Sequence, residues 1–126
     1  MIGAPETHED ICRTLANMAG AVVVSPDYRL APEHPFPTAI DDCAATLVWM
    51  TDQADALGID PLRIIVAGDS AGGNMATVVS ILADDRKGLN IALQVLFYPN
   101  TDSDLDSPSY LQFAEGYYLA REDMKW

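Results

Sequence analysis

The sequence has little positive charge and few cysteines. Lys and Arg together number 7 against 19 Asp and Glu, which leaves a formal net charge of −12 over 126 residues. A chain this acidic repels phosphate backbones and anionic membrane surfaces, so nucleic acid and membrane partners are not expected. Two cysteines, Cys12 and Cys43, are too few for a disulfide framework. They predict small, buried, reduced side chains in a cytoplasmic protein.

Targeting signals and long apolar runs are also missing. The N-terminal residues, Met1 to Glu6, contain no basic region and no apolar core, so they do not resemble a signal peptide. The longest apolar stretches, around residues 19–24 and 91–98, are too short to cross a bilayer. The remaining features are those of an ordinary globular protein, whose length suits one domain at most.

Helical patterns alternate with short apolar runs along the chain. Helices are predicted over residues 7–19, 38–57 and 71–85, the last stopping near Gly88, with a short helix from about Arg121. Strands are predicted over residues 21–25, 63–67 and 91–98, because these runs are apolar without alternation. This order predicts an α/β fold with a parallel sheet, in which residues 63–98 form one βαβ unit. Three strands make a thin sheet, which indicates part of a larger domain.

One glycine-rich turn carries the chemistry. The segment Gly68-Asp69-Ser70-Ala71-Gly72-Gly73 fits G-x-S-x-G between a predicted strand and a predicted helix. In this context the serine occupies the strained apex of the turn, where a base and a substrate can reach its hydroxyl. Gly68 and Gly72 are expected beside it because a Cβ would collide with the neighbouring strand or helix. The pattern predicts Ser70 as a nucleophile and the Ala71 amide as a donor to a developing oxyanion.

A second interpretation of this turn is a phosphate or nucleotide site at a helix N-terminus. Such a site would use Gly72, Gly73 and the first amides of the helix. However, the turn matches neither G-x-G-x-x-G nor the P-loop pattern, which requires Lys followed by Ser or Thr. The acidic composition also disfavours a phosphate ligand. Calorimetry with nucleotides distinguishes the two interpretations.

Three motifs together resemble the hormone-sensitive-lipase-like (GDXG) esterases of the α/β-hydrolase superfamily. The turn at residues 68–73 is similar to their nucleophile elbow, and residues 27–37 (DYRLAPEHPFP) are similar to their segment between a core strand and the next helix. A third stretch, residues 109–126, resembles their region after the following strand. The resemblance implies that residues 1–126 form a partial, fold-3-type catalytic domain. It also implies a lipase-like serine carboxylesterase that acts on small acyl esters.

The sequence departs from that family in the catalytic triad. In this superfamily the order is Ser, then Asp or Glu, then His, but no histidine follows Ser70. A His-Gly-Gly-Gly oxyanion motif is also missing, so only Ser70 and the Ala71 amide carry over. His8 is expected to be solvated in the first turn of a helix, and His34 to shape a proline-rich loop. We therefore expect a central fragment that is inactive alone, or alternatively a non-enzymatic remnant or association module.

The other polar residues are predicted to be structural. Asp69 is expected to support the elbow, with its side chain pointing away from the Ser70 hydroxyl. Tyr28, Arg29 and Glu33 are expected to form a buried hydrogen-bonded group that anchors the proline-rich loop. Asn74 and Ser80 are expected at polar helix positions without a chemical role. Packing is predicted for four tyrosines, with the alternative that a few of them line an acyl site: Tyr98, Tyr110, Tyr117 and Tyr118.

The downstream carboxylates do not resemble the acid of the family's triad; they are Asp84, Asp85, Asp102, Asp104, Asp106 and Asp123. Asp84 and Asp85 are expected to form a solvated patch offset by Arg86 and Lys87. The spacing of Asp102, Asp104 and Asp106 suggests the start of an EF-hand loop, but Ser107 replaces the required Gly and Phe113 the bidentate Glu. A solvated loop is therefore predicted, with no metal and no cofactor.

The resemblance also implies a gap in the sheet. In the family fold another strand lies between the strands that correspond to residues 21–25 and 63–67, and this sequence does not contain it. Open strand edges and exposed apolar faces favour association. We expect the chain alone to be marginally stable or to form homo-oligomers through its strand edges.

Overall fold

The computed structural model describes residues 4–85 and 89–125. Its helices are α1 (Pro5–Ala19), α2 (Thr38–Asp52), α3 (Ala54–Leu57), α4 (Ala71–Asp84) and α5 (Pro108–Gln112), and a 3₁₀ turn covers Asp123–Lys125. Its strands are β1 (Ile64–Asp69) and β2 (Ile91–Phe97), which pair in parallel with Asp69 opposite Phe97. The predicted α/β class and the βαβ unit are confirmed.

The core lies where α2 and α4 meet the sheet. Ala44 and Leu47 of α2, Ile64 of β1, and Val79 and Ala83 of α4 are buried in one contiguous cluster. Helix α4 packs against both strands as well as α2. This burial stabilises α4 against the sheet and so fixes the glycine-rich turn at the carboxyl ends of the strands.

Residues 21–25 do not form a strand, so the prediction of three strands is wrong. The sheet in the described part of the chain contains only β1 and β2. Val22 and Val23 remain 49% and 38% exposed. A run of β-branched residues has strand propensity, but a strand also needs a neighbouring backbone to hydrogen-bond with, and residues 21–25 have none among the described residues.

Several helix boundaries differ from those predicted. Helix α1 begins at Pro5 rather than Thr7, and the Thr7 hydroxyl donates to the Ala4 carbonyl at 2.7 Å. Proline suits the first helical position because the amide that it lacks has no partner there. The helix predicted over residues 38–57 divides at Gln53 into α2 and α3.

Two further differences follow β2. Helix α5 lies in a segment predicted to be a loop, with Pro108 at its first position. The helix predicted from Arg121 is only the 3₁₀ turn. Arg86, Lys87 and Gly88, which were expected to balance the acidic patch and stop α4, lie outside the described residues.

Large apolar side chains remain exposed on α1 and on the sheet. Helix α1 buries no residue, and Ile11, Leu15 and Met18 face solvent. Ile65 and Leu93 are exposed on the strands. None of the described helices is long and apolar enough to span a bilayer. Such apolar surfaces favour association, which stays a prediction.

Candidate active site

Ser70 lies at the apex of the turn between β1 and α4. Its backbone has φ 54° and ψ −118°, a conformation that strains any residue other than glycine. The Ser70 amide donates to the Phe97 carbonyl at 2.9 Å, and the Asn74 amide donates to the Ser70 carbonyl at 3.2 Å. These bonds hold the strained residue between β2 and α4.

Close backbone packing at the turn requires glycine at residue 68. A Cβ built on Gly68 would lie 2.3 Å from both the carbonyl carbon and the carbonyl oxygen of Gly72. A Cβ on Gly73 would lie 2.9 Å from the Cβ of Pro99. A Cβ on Gly72 would have no atom within 4 Å, so the expected collision at this residue is wrong for the described part of the chain. The first turn of α4 meets neighbours at Gly73 and leaves Gly72 open.

Asn74 joins the elbow to the loop after β2. Its side-chain amide donates to the Asn100 carbonyl at 2.8 Å, and the Asn100 amide donates to the Ser70 carbonyl at 3.3 Å. The sequence pattern predicts only a polar helix position for Asn74, because an Asn early in a helix carries no signal of a partner 26 residues later. The bond makes Asn74 part of the hydrogen-bonded frame around Ser70.

The Ala71 amide occupies the first position of α4, a helix of 14 residues. The first amides of a helix have no carbonyl partner within it, and the helix dipole makes this end electropositive. The half-buried Ser70 stands immediately before this end. The arrangement can therefore stabilise negative charge that develops on a carbonyl oxygen attacked by the Ser70 Oγ.

Asp69 contacts two side chains from other parts of the chain. The His8 Nε2 lies 3.3 Å from the Asp69 Oδ1, and the Tyr98 hydroxyl donates to the Asp69 Oδ2 at 3.5 Å. The other ring nitrogen of His8 lies 2.8 Å from the Thr7 Oγ1. The expectation that His8 is simply solvated is wrong, because the fold brings residue 8 to the end of β1. Tyr98, expected to pack, is instead exposed and adopts φ 35°.

Arg29 anchors the proline-rich loop through α2. Its guanidinium donates to both carboxylate oxygens of Asp42, at 2.7 and 3.0 Å, and its backbone amide donates to the same carboxylate at 3.0 Å. These bonds lower the pKa of Asp42 from 3.8 to about 2. The predicted group of Tyr28, Arg29 and Glu33 is therefore wrong, because the carboxylate on the facing helix offers Arg29 a two-pronged partner.

Tyr28, in that loop, lies close to Cys43 of α2. The pKa of Tyr28 is raised, chiefly by burial and to a smaller extent by the nearby Cys43 and the charge of Asp69. Burial also raises the pKa of the Cys43 thiol, and the nearby charge of Asp42 raises it further. Cys12 and Cys43 are both half-buried and unpaired. The raised pKa disfavours the thiolate form of Cys43, so this environment does not activate Cys43 as a nucleophile.

The Asp-rich loop after β2 is held by its own backbone. Asp102 accepts from the Asp104 amide at 3.0 Å, and Asp104 accepts from the Asp106 amide at 2.9 Å. The Arg121 guanidinium donates to the Leu105 carbonyl at 2.7 Å and pairs with Asp106. The carboxylates of Asp102, Asp104 and Asp106 therefore bond to backbone amides and to Arg121 within the loop region, as expected of a solvated loop. The absence of a metal stays a prediction.

The chain matches the family described as alpha/beta hydrolase fold over residues 1–126. It is 49% identical over 121 residues to the carboxylesterase NlhH of Mycobacterium tuberculosis, covering 96% of this chain and 38% of that protein. It is 41% identical over 127 residues to an ethyl acetate hydrolase of Pseudomonas putida, covering 100% of this chain and 40% of that protein.

A solved structure gives the same result. The thermostable carboxylesterase EstE1, cloned from a metagenomic library, superposes with a TM-score of 0.92 at 49% identity, over 99% of this chain and 44% of that one. The chain thus spans about two fifths of the length of these relatives. Sequence and architecture agree over this length: the chain belongs to the alpha/beta hydrolase fold family.

Proposed function

We propose that these residues supply the nucleophile of a carboxylic ester hydrolase. One observation carries the proposal: Ser70 occupies a strained, positive-φ apex directly before the N-terminus of α4. This is the geometry that the G-x-S-x-G motif requires of a serine nucleophile. Relatives named as a carboxylesterase and an ethyl acetate hydrolase support the same chemistry.

The proposed reaction is acyl transfer in two steps. The Ser70 Oγ attacks the ester carbonyl and its proton passes to a general base, while the Ala71 amide donates to the oxyanion. The tetrahedral intermediate then releases the alcohol, which takes up that proton, and leaves an acyl-serine. Water attacks the acyl-serine, releases the carboxylic acid and restores the hydroxyl of Ser70. The substrate class is short- or medium-chain acyl esters, with no cofactor or metal.

The activity belongs to the complete enzyme rather than to these 126 residues alone. The chain covers 38% of NlhH and 40% of the ethyl acetate hydrolase. Neither histidine bonds to Ser70 in the described residues: His8 contacts Thr7 and Asp69, and the His34 amide donates to the Leu30 carbonyl. We therefore expect negligible turnover by the 126-residue chain, with only the oxyanion donor to accelerate hydrolysis.

Ester hydrolysis by the product of the whole coding sequence tests the proposal. We expect it to hydrolyse p-nitrophenyl acetate and butyrate, with an initial burst of p-nitrophenol no larger than one equivalent of enzyme if deacylation is the slower step. The 126-residue chain, assayed beside it, should remain close to the uncatalysed rate. Absence of hydrolysis by the whole product would refute the proposed function, and rapid hydrolysis by the 126-residue chain would refute the assignment of activity to the complete enzyme.

A second proposal concerns the 126-residue chain as an association module. The exposed apolar side chains of α1 and of the sheet support it, as does the open edge of β1 in the described part of the fold. Sedimentation velocity should show homo-oligomers, whereas a cooperatively unfolding monomer of 13.6 kDa would contradict this proposal.

The half-buried, unpaired cysteines support a cytoplasmic location, and the net charge of −12 supports the exclusion of nucleic acid as a partner.

A further inference from the structure

Helix α1 reaches the elbow through a side-chain pair. It buries no residue and does not pack against any other described helix or strand. His8, in its first turns, nevertheless reaches across 61 positions of sequence to the carboxylate of Asp69. Its Nε2 lies 3.3 Å from one carboxylate oxygen and 3.5 Å from the other. The contact therefore ties a helix without a fully buried residue to the residue that precedes Ser70.

The geometry points to His8 as a positioning residue that fixes the nucleophile elbow by holding the Asp69 carboxylate. This inference rests on the proposed function of Ser70. His8 does not touch the reacting atoms, since its two ring nitrogens are engaged with Thr7 and Asp69. It acts through Asp69, whose backbone leads directly into the strained apex at Ser70.

Other groups also face the Asp69 carboxylate and belong in the same network. The Tyr98 hydroxyl donates to it at 3.5 Å from the end of β2. Tyr28, from the loop before α2, is close enough for the charge of Asp69 to raise its pKa. Among the described residues, the His8 imidazole is the one histidine, lysine or arginine side chain that pairs with the Asp69 carboxylate. The Asp69 carboxylate is therefore contacted from α1 by His8 and from the end of β2 by Tyr98.

The pair is expected to act on reactivity more than on stability. The His8 side chain is 43% exposed and that of Asp69 is 37% exposed. Ion pairs at this exposure contribute little to the free energy of unfolding because water screens them and both side chains lose rotamer freedom. A small displacement of a nucleophile, in contrast, can reduce a rate by a large factor.

The test uses variants of the whole gene product with p-nitrophenyl acetate as the probe. His8→Ala is expected to lower kcat by about tenfold with KM within about twofold, because the nucleophile is displaced while binding is retained. His8→Gln should recover most of the rate, since its side-chain amide can still donate to Asp69. The double variant His8→Ala/Asp69→Ala should be no slower than Asp69→Ala alone, because either change by itself already breaks the contact.

Glu9→Gln is the matched control. Glu9 neighbours His8 on α1 and forms an exposed pair with Arg13 at 2.5 Å, so this change removes a charge from the same helix without touching the elbow. Its kcat should equal that of the original protein. If Glu9→Gln slows the reaction as much as His8→Ala, or if the two changes in the double variant act additively, the inference is wrong.

A second measurement does not depend on activity. The amide resonances of Asp69, Ser70 and Ala71 should move in His8→Ala and stay in place in Glu9→Gln. If the original protein hydrolyses no ester but these resonances move, the proposed function fails and the contact stands. If the protein is active and neither the resonances nor kcat respond to His8→Ala, the proposed function stands and the positioning role is refuted.

Discussion

Replacing Gly68 by Ala is expected to destroy the nucleophile elbow. The added Cβ would lie 2.3 Å from the carbonyl carbon and oxygen of Gly72, and 2.8 Å from the amide nitrogen of Gly73. These are backbone atoms at the start of α4, so no side chain can rotate away to make room. The start of α4 must then move away from the end of β1, which displaces Ser70.

The expected size of this effect is large for one methyl group. Overpacking against the backbone should destabilise the fold by about 3 kcal/mol or more. Displacement of Ser70 should slow its reaction with a fluorophosphonate by at least about 100-fold. Thermal unfolding and the rate of labelling measure the two consequences separately.

Gly72→Ala is the matched control within the same turn. Beyond its own turn of α4, its Cβ would meet no atom of the described residues within 4 Å, and no positive φ constrains this residue. Alanine also has the higher helix propensity, so the change is expected to be neutral or to stabilise by up to about 1 kcal/mol. Equal damage from Gly68→Ala and Gly72→Ala would contradict this account of the turn.

Ser70→Ala and Ser70→Gly are expected to separate function from stability. Both changes remove the hydroxyl. In the whole gene product, ester hydrolysis should therefore fall by at least about 1,000-fold in either variant. Only glycine also relieves the backbone strain at φ 54°. Ser70→Gly should therefore be more stable than Ser70→Ala by about 1 kcal/mol or more.

The difference in stability between Ser70→Ala and Ser70→Gly reports on backbone strain because the Ser70 side chain makes no capping hydrogen bond to α4. Loss of the hydroxyl thus costs the helix no cap in either variant. Thermal unfolding of the two variants, beside the original protein, measures the difference. Equal midpoints for Ser70→Ala and Ser70→Gly would show that the turn stores no strain, and retained hydrolysis in either would show that Ser70 is not the nucleophile.

Local features of this protein could be predicted from its sequence. The elbow depends on six consecutive residues between an apolar run and a helical pattern, and the structure places Ser70 at a strained apex there. The βαβ unit also follows from consecutive segments that bury one common core. In both cases the deciding contacts lie within or between neighbouring elements.

Non-local contacts could not be predicted in this way. Residues 21–25 have the composition of a strand, but strand formation depends on a pairing partner that a propensity does not supply. The partner of Arg29 proved to be Asp42, on the next helix, rather than the nearer Glu33. The contact between His8 and Asp69 spans 61 positions, and the bond from Asn74 to Asn100 spans 26. Nothing in the residue types distinguishes these partners from other polar side chains of the chain.

The most direct test of the central claim is covalent labelling of Ser70. The product of the whole coding sequence is treated with a fluorophosphonate, digested, and examined by mass spectrometry to locate the modified residue. We expect one label per protein, on Ser70, and no label in Ser70→Ala. A protein that stays unlabelled, or that carries its label on another serine, would contradict the assignment of Ser70 as the nucleophile.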